Sequence, residues 1–386
     1  YHTNHIVNLT MGFKYPAMLS YFFDDTDYEQ ITDMGLEAAH RYHGVVSGVI
    51  NGDEHLAGNN PSRGSELCAV VEYMFSLQTM AEAFGTGKYT DEIEKLAYNA
   101  LPATITEDFM AHQYLQQANQ VIVSKAKRDW FNTNDESNMF GLEPNFGCCT
   151  ANMHQGWPKL LKSMWLKEDG NTLISMVHGP SSVTTKLAGT RFTIEEETEY
   201  PFKNSICYHV IEGDAQEAVL RIWVPDWCED LRICINGNWE DSRRTQDYIT
   251  VSGLHAGSEI TVEFAMDIRK SFWYKDSMAI ERGPLVYALD MEEKWKKVRE
   301  VVGVSDFEVY PGSPWNYAIS KNEAVEVEEK AVSDVPFSKK NPPVVLTGTG
   351  KYIEGWKIEN NSAGDLPQSP VNAEGEAEKI RLIPFG

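Results

Sequence analysis

Two thiol-bearing stretches constrain this chain more than anything else in it. The first runs from Asn51 to Met80. It opens with a Gly52-Asp53-Glu54-His55 turn and passes through a loop containing Gly58, Pro61 and Gly64. It then enters a strongly apolar segment at Ser65-Glu66-Leu67-Cys68. The second is Phe146-Gly147-Cys148-Cys149-Thr150, eighty residues from Cys68 to Cys148. Thiols and carboxylates gathered at helix entrances and loops are costly in a plain hydrophobic core. Zinc favours thiolate and imidazole, accepts carboxylate, and is held tetrahedrally. Glu66, Cys68, Cys148 and Cys149 therefore form a candidate Cys3Glu zinc site.

The spacing sets conditions on that site. Glu66 and Cys68 are two apart, which on an ideal helix places them on opposite sides. They can share an ion only where the backbone is not yet helical, just after Gly64-Ser65. Adjacent Cys148 and Cys149 are likewise expected on irregular backbone, which Pro144 and Gly147 permit. The plain alternative stays open. Cys68 is then a small core residue, Cys148-Cys149 a buried pair, and Glu66 an ordinary first-turn acid. Glu54 alone reads as a solvated loop acid, and His5, His55, His112 and His154 as structural residues.

Around these stretches the first 168 residues carry helical periodicity. Helices are expected over 5–21, interrupted at Pro16, and over 27–42. A third spans 66–84 with Leu67, Val70, Val71, Met74, Leu77 and Met80 on one face, ended by Gly85-Thr86-Gly87. A fourth, capped by Thr90, runs from Asp91 to about Met110, with a break or kink at Pro102. A fifth covers Asn152 to Leu166. Such an array of antiparallel helices would gather its functional loops at one end.

Near Gly170 the pattern changes to short alternating runs, among them Leu173 to Val177, Ile206 to Ile211 and Glu259 to Phe264. Turn signals such as Asn236-Gly237 separate them. This predicts a β-sandwich over 169–290, followed by a second, less regular β region over 291–386.

The 386 residues allow two or three domains with sizeable cores. A net charge of −23 opposes nucleic acid and anionic membrane as partners. The 10 Trp and 17 Tyr suit sugar-stacking surfaces and thick sheet cores alike, and the burial preference of large aromatics favours cores. Apolar runs are too short to span a bilayer. The chain starts at Tyr1 rather than Met, so the lack of a signal peptide carries no weight. Cys207, Cys228 and Cys234 lie in strand-like sequence and read as buried thiols, with a bridge between two of them left open. The sequons at Asn8 and Asn360 are short enough to be chance matches.

The order of several motifs resembles the glycoside hydrolase family 127 and 146 group, the β-L-arabinofuranosidases. They are Gly-Asp-Glu-His, Ser-Glu-Leu-Cys, Glu94-Lys95-Leu96-Ala97-Tyr98-Asn99, Phe146-Gly147-Cys148-Cys149-Thr150-Ala151-Asn152 and Glu281-Arg282-Gly283-Pro284-Leu285-Val286-Tyr287. The resemblance extends from His5 to the Pro-Phe-Gly end. It implies an α/α toroid followed by β-sandwich domains, with this chain lacking the N-terminal half of the toroid. It also implies a Zn2+ held by Glu66, Cys68, Cys148 and Cys149, and retaining hydrolysis. Cys148 is then the nucleophile and Glu54 the general acid/base, while His5, Glu94 and Tyr114 contact the sugar. Thr150 departs from the family pattern, in which many relatives carry Pro.

The resulting expectation is a zinc-dependent retaining exo-glycosidase acting on β-L-arabinofuranosides or related plant-glycan residues. Its partner is an oligosaccharide or glycoconjugate, with no nucleic acid and no membrane. Action outside the cytoplasm follows only from that substrate, and the oligomeric state is left open. The rival is a carbohydrate-binding or structural protein whose zinc merely staples helices to a loop. A glycan lyase or unsaturated-uronide hydrolase on a similar scaffold would not need the thiolates.

Overall fold

The computed structural model describes residues 4–131, 134–243, 246–373 and 375–386. Its N-terminal part is helical and the remainder is built from sheets. Helix α1 (Ile6–Gly12) and helix α2 (Lys14–Leu19) meet at Phe13, not at the expected Pro16. Pro16 sits in the first turn of α2, where its missing N–H has no intrahelical partner to lose. Helix α3 (Tyr28–His43) is capped by the Asp27 carboxylate, which accepts from the Gln30 N–H at 2.9 Å.

Helix α4 (Leu67–Phe84) is the axis of this region. It is buried on nearly every side and packs against α1, α2 and helix α6 (Cys148–Ser163). A helix apolar all round belongs inside a core. Gly85 ends it in the left-handed conformation, at φ 64°.

The fourth expected helix is much shorter. Helix α5 (Thr90–Lys95) widens into a π turn over Leu96–Ala100 and closes with a 3-10 turn at Pro102–Thr104. Thr90 makes no cap hydrogen bond. Within the π turn the Asn99 amide donates locally to the Lys95 carbonyl at 2.8 Å and also bonds residues far away in sequence. The Asn99 amide donates to the Pro284 carbonyl at 2.9 Å and accepts from the Val286 N–H at 2.7 Å. Helix α6 starts four residues before the expected Asn152 and includes both cysteines. Between α5 and α6 the chain is mostly irregular. It forms the short strand β2 (Leu115–Gln116), paired antiparallel with β1 (Ser65–Glu66).

Beyond α6 come β3 (Trp165–Glu168), β4 (Thr172–Ser175), β5 (Ser181–Leu187), β6 (Thr190–Thr198), β7 (Ser205–Glu212) and β8 (Asp214–Trp223). They are followed by β9 (Asp230–Ile235), β10 (Asn238–Arg243), β11 (Tyr248–His255) and β12 (Glu259–Phe264). Two sheets result, ordered β10-β9-β12-β7-β6-β5 and β11-β8-β4-β3. Phe192, Ile194, Tyr208 and Val262 of the first share one core with Leu173, Leu220 and Ile222 of the second. The expected Asn236-Gly237 turn joins β9 to β10 with φ of 49° and 85°, as a tight hairpin requires.

The C-terminal portion is more regular than its sequence suggests. Strands at Ile268–Phe272, Met278–Arg282 and Leu285–Leu289 enter a seven-stranded sheet with Glu378–Pro384, Val344–Tyr352 and shorter pieces. A hairpin of Glu293–Val301 and Val304–Pro311 leans back onto the helical part through bridges Val123–Val309 and Phe140–Phe307. All six cysteines are free thiols. Cys207 and Cys234 flank the intervening β12, a separation of about 9–10 Å, beyond the ~7 Å reach of a disulfide. Among the described residues no helix is long and apolar enough to cross a membrane.

A buried polar network ties the helices to the sheets. The Glu94 carboxylate is 0 % exposed. It accepts from the His178 N–H at 3.0 Å and from the Tyr200 hydroxyl. His178 in turn reaches the Trp223 carbonyl at 2.9 Å and lies 3.7 Å from Glu196. Burial pushes the Glu94 carboxyl up from 4.5 to about 7. Burial opposes charge on His178, but Glu196 and Glu94 outweigh it and raise that imidazole.

The folded state therefore holds the Glu94 proton more tightly than the unfolded chain does. Its contribution to stability is complete below pH about 4.5 and is lost as pH rises through about 7. His178 acts with the same sign. Glu94→Gln removes the titrating group; its amide oxygen can still accept from the His178 N–H, with the NH2 turned to donate to the Tyr200 oxygen. Its melting temperature should fall less than that of the wild type across this window, as read by thermal denaturation at several pH values.

Candidate metal and catalytic site

The expected ligands converge. One ligand atom each of Glu66, Cys68, Cys148 and Cys149 lies within 4.8 Å of the other three. The Cys68 and Cys149 sulfurs are 3.3 Å apart. Glu66 occupies the N-cap position of α4 in extended conformation, φ −76° and ψ 131°, because it is also the last residue of β1. That breaks the helical geometry which would have separated it from Cys68. The carboxylate makes no cap hydrogen bond, and its Oε2 is buried without a hydrogen-bond partner.

Cys148 and Cys149 differ from expectation. They are the first two residues of α6, on regular helical backbone, with Cys148 exposed and Cys149 buried. Successive helical side chains diverge by about 100°. In the first turn this still leaves both sulfurs within reach of Cys68.

The electrostatics are those of crowded anionic groups. Burial, then the neighbouring Cys148 and Glu54, push the Glu66 carboxyl up to about 8. The Cys148 thiol is held down at about 3 by hydrogen bonds from the Cys149 and Cys68 thiols. Its place at the N-terminus of α6 acts in the same direction. The Cys68 thiol is raised in consequence, and the Cys149 thiol is raised by burial first and then by its bonds to Cys148 and Cys68.

A Zn–S bond is about 2.3 Å, so sulfurs around one tetrahedral zinc lie about 3.8 Å apart. Three sulfurs and an orphaned buried carboxylate oxygen in this volume fit that ion in number, donor type and spacing.

Glu54 stands beside the cluster. Its Oε1 is 3.3 Å from His5 Nε2, and its Oε2 accepts from the Tyr114 hydroxyl at 2.9 Å. Ligand atoms of His5, Glu54 and Glu66 form a second group within 4.8 Å, so Glu66 links the two. Glu54 has φ 88°, a left-handed conformation uncommon outside glycine and costing about 1–3 kcal/mol. Its surroundings enforce this turn. The Ile6 N–H donates to the Glu54 carbonyl at 3.0 Å. Gly52 lies so close to Ile6 that an added Cβ would come within 2.3 Å of it. Arg63 pairs with buried Asp53 at 2.8 Å, and Asp53 also accepts from the Phe131 N–H at 3.1 Å.

The sugar-contact residues expected from the motifs separate. His5 joins the site and caps α1 through Nδ1. Tyr114 joins it from beneath, only 2 % exposed, as the hydroxyl donor to Glu54. Glu94 does not. It is sealed in the network with His178 and Tyr200, with both oxygens occupied by protein donors. The motif that contains it, Glu94 to Asn99, meets the Glu281 to Tyr287 motif instead. Lys95 pairs with Glu281 at 2.8 Å, and Asn99 holds Pro284 and Val286.

Side chains to which the sequence assigned no role in the site also surround it, His55 among them, which reads there as structural. His55 packs its ring edge against both His5 and Phe131, and Phe146 meets Tyr114 at 6.1 Å. These are loop aromatics with no periodicity to mark them. Thr150 donates to the Leu142 carbonyl at 2.9 Å and holds His112 at 2.9 Å. A separate cavity of 1310 Å³ lies against the C-terminal sheet, lined in part by Trp273, Trp315, Tyr317 and Trp356. None of the cluster residues lines it.

Comparison with known proteins bears on the same two regions. Residues 38–162 match the model described as "Beta-L-arabinofuranosidase, GH127 catalytic domain", and residues 172–266 match "Beta-L-arabinofuranosidase, GH127 middle domain". A non-reducing end β-L-arabinofuranosidase of Bifidobacterium longum subsp. longum is 21 % identical over 283 residues. That alignment covers 68 % of this chain and 38 % of the bifidobacterial protein.

Among solved structures, one described as a glycoside hydrolase superposes with TM-score 0.74 and 17 % identity, covering 99 % of this chain and 63 % of its own. A GH127 β-L-arabinofuranosidase of Geobacillus stearothermophilus T6 superposes with TM-score 0.67 and 17 % identity, covering 99 % and 58 %. The chain thus spans less than two thirds of the length of these relatives. The two matched models belong to one family and together take in more than half of the 386 residues, in chain order. This chain belongs to the GH127 β-L-arabinofuranosidase-like family.

Proposed function

We propose that this chain carries the chemistry of a zinc-dependent retaining exo-glycosidase that releases β-L-arabinofuranose or a related residue from a glycan. The observation carrying this reading is the juxtaposition of two groups: Glu66 with the three thiols, and Glu54 held by His5 and Tyr114. On this reading residues 1–168 form part of an α/α toroid and supply the chemistry. The two sheets ending at Phe264 act as a supporting sandwich, and the strands at Ile268–Phe272, Met278–Arg282 and Leu285–Leu289, expected within 169–290, join the C-terminal sheet as further support.

Glu66, Cys68, Cys148 and Cys149 would hold the zinc. When bound, the ion neutralises the crowded anions and keeps the Cys148 sulfur deprotonated yet able to leave. The rest is done by side chains. The Cys148 sulfur attacks the anomeric carbon while Glu54 gives its proton to the departing glycosidic oxygen, and the C–O bond breaks as the C–S bond forms. Glu54, now a carboxylate, takes a proton from water. That water attacks the same carbon and releases the sulfur, for net retention. The Tyr114 hydroxyl and His5 ring hold the Glu54 carboxylate in one orientation. His55, Phe131 and Phe146 supply ring surface for a sugar.

A zinc-stapled, non-catalytic carbohydrate-binding role has no use for a carboxylate held in a strained turn. Two experiments separate the readings. Elemental analysis should find zinc in protein purified without added metal, with about one equivalent lost in Cys148→Ser. Its absence from both proteins would remove the metal from the scheme. With an aryl β-L-arabinofuranoside, Glu54→Gln should lower kcat by about 10²–10⁴-fold while sugar binding persists. Cys148→Ala should abolish turnover. Normal turnover by Cys148→Ala would sink the thiolate mechanism, and normal turnover by Glu54→Gln would sink the acid/base assignment.

A further inference from the structure

A second set of metal-type ligands lies on the outward face of the six-stranded sheet, away from the α4 and α6 cluster. Cys207 and His209 are two apart on β7, so both side chains leave the sheet on the same side. Their inward-facing neighbours Ile206, Tyr208 and Val210 are buried in the core. On β12, Glu259 is the register partner of His209 and Thr261 that of Cys207. On β6, Glu195 and Glu197 stand opposite the same two residues. One ligand atom each of Cys207, His209 and Glu259 lies within 4.8 Å of the other two.

The His209 ring is already bracketed by carboxylates. Its Nε2 is 3.3 Å from Glu197 and its Nδ1 3.8 Å from Glu259. The Cys207 sulfur accepts from the Thr261 hydroxyl at 3.4 Å. Both β6 and β12 are hydrogen-bonded to β7, so the ladder rather than a loop fixes these positions.

We propose that Cys207, His209 and Glu259, with Glu197 at the rim, form a binding site for a zinc-class divalent cation on this sheet face. The donor set decides the class. A thiol and an imidazole select zinc-like ions over magnesium or calcium, which require oxygen ligands. The carboxylates of Glu195, Glu197 and Glu259 give the face a negative field that attracts a cation. Binding displaces the Cys207 thiol proton to solvent and leaves the remaining coordination to water. The bound ion would tie β7 to β12 across the sheet, a stabilising role separate from hydrolysis.

A plain surface ion pair between His209 and its two glutamates would need no cation, and titration distinguishes the two. Zn2+ alone is titrated calorimetrically into metal-stripped wild type, Cys207→Ser, His209→Ala and Cys148→Ser. Cys207→Ser and His209→Ala should each lose about one zinc equivalent that Cys148→Ser retains, and the losses should add in a Cys148→Ser, His209→Ala double variant. Failure of the proposed catalytic site to bind zinc would lower the wild-type count but leave the His209-dependent equivalent in place. Glu259→Gln, a change at an exposed position, should weaken that equivalent at least about tenfold, in line with losses on perturbing metal shells. Unchanged zinc stoichiometry and affinity in Cys207→Ser, His209→Ala and Glu259→Gln would overturn the proposal.

Discussion

The mutual repulsion of the anionic groups around Glu66 is the constraint on which this structure depends. Three sulfurs and a carboxylate within 4.8 Å cannot all carry charge without a compensating cation. The Glu66 carboxyl is raised to about 8, first by burial and then by the Cys148 and Glu54 charges, and the Cys148 thiol is held low by hydrogen bonds from its neighbours. A chain builds such a site only by forcing the groups together from elsewhere. Here the force is the packing of α4 against α6, which brings Cys68 and Cys149 to 3.3 Å. Pairing of β1 with β2 adds to it, holding Glu66 out of the helix.

The strained turn at Glu54 depends on the same scaffold. It is held by Ile6 of α1, by the Asp53–Arg63 pair and by the Phe131 backbone, three contacts from distant parts of the chain. The sheets contribute at a distance. Asn99 and Lys95 fasten the α5 segment to the Glu281–Tyr287 hairpin, and Glu94 fastens it to His178 and Tyr200. The helical part thus rests on the β regions through this stretch and through the bridges Val123–Val309 and Phe140–Phe307.

The metal-type ligands were legible in the sequence because their residue types are unusual at helix entrances. Helix α4 was legible because its apolar residues keep a helical period up to Gly85. What was not legible depended on partners remote in sequence. Nothing near Glu94 in the sequence signals that His178 and Tyr200 will enclose it, so the motif alone does not separate a sealed carboxylate from a sugar contact. Nor does the sequence signal that Asn99, within the π turn at Leu96–Ala100, will bond Pro284 and Val286. The strand Glu293–Val301 is exposed along its whole length and therefore shows no apolar alternation to read. His55, Phe131 and Phe146 are loop residues placed by the turns around them, and loops carry no period.

Of the six cysteines, Cys148 alone is exposed, and it is the one held as a thiolate. Cys148 is therefore the exposed sulfur most open to electrophiles, at the start of α6, while Cys207 is only partly exposed and its thiol is raised by burial. Haloacetamides would find Cys148 first. Peroxide would carry it first toward a sulfenic acid. With Cys68 and Cys149 beside it, that acid has resolving thiols at hand, so mild oxidative damage at this position can end in a reducible disulfide rather than in irreversible loss.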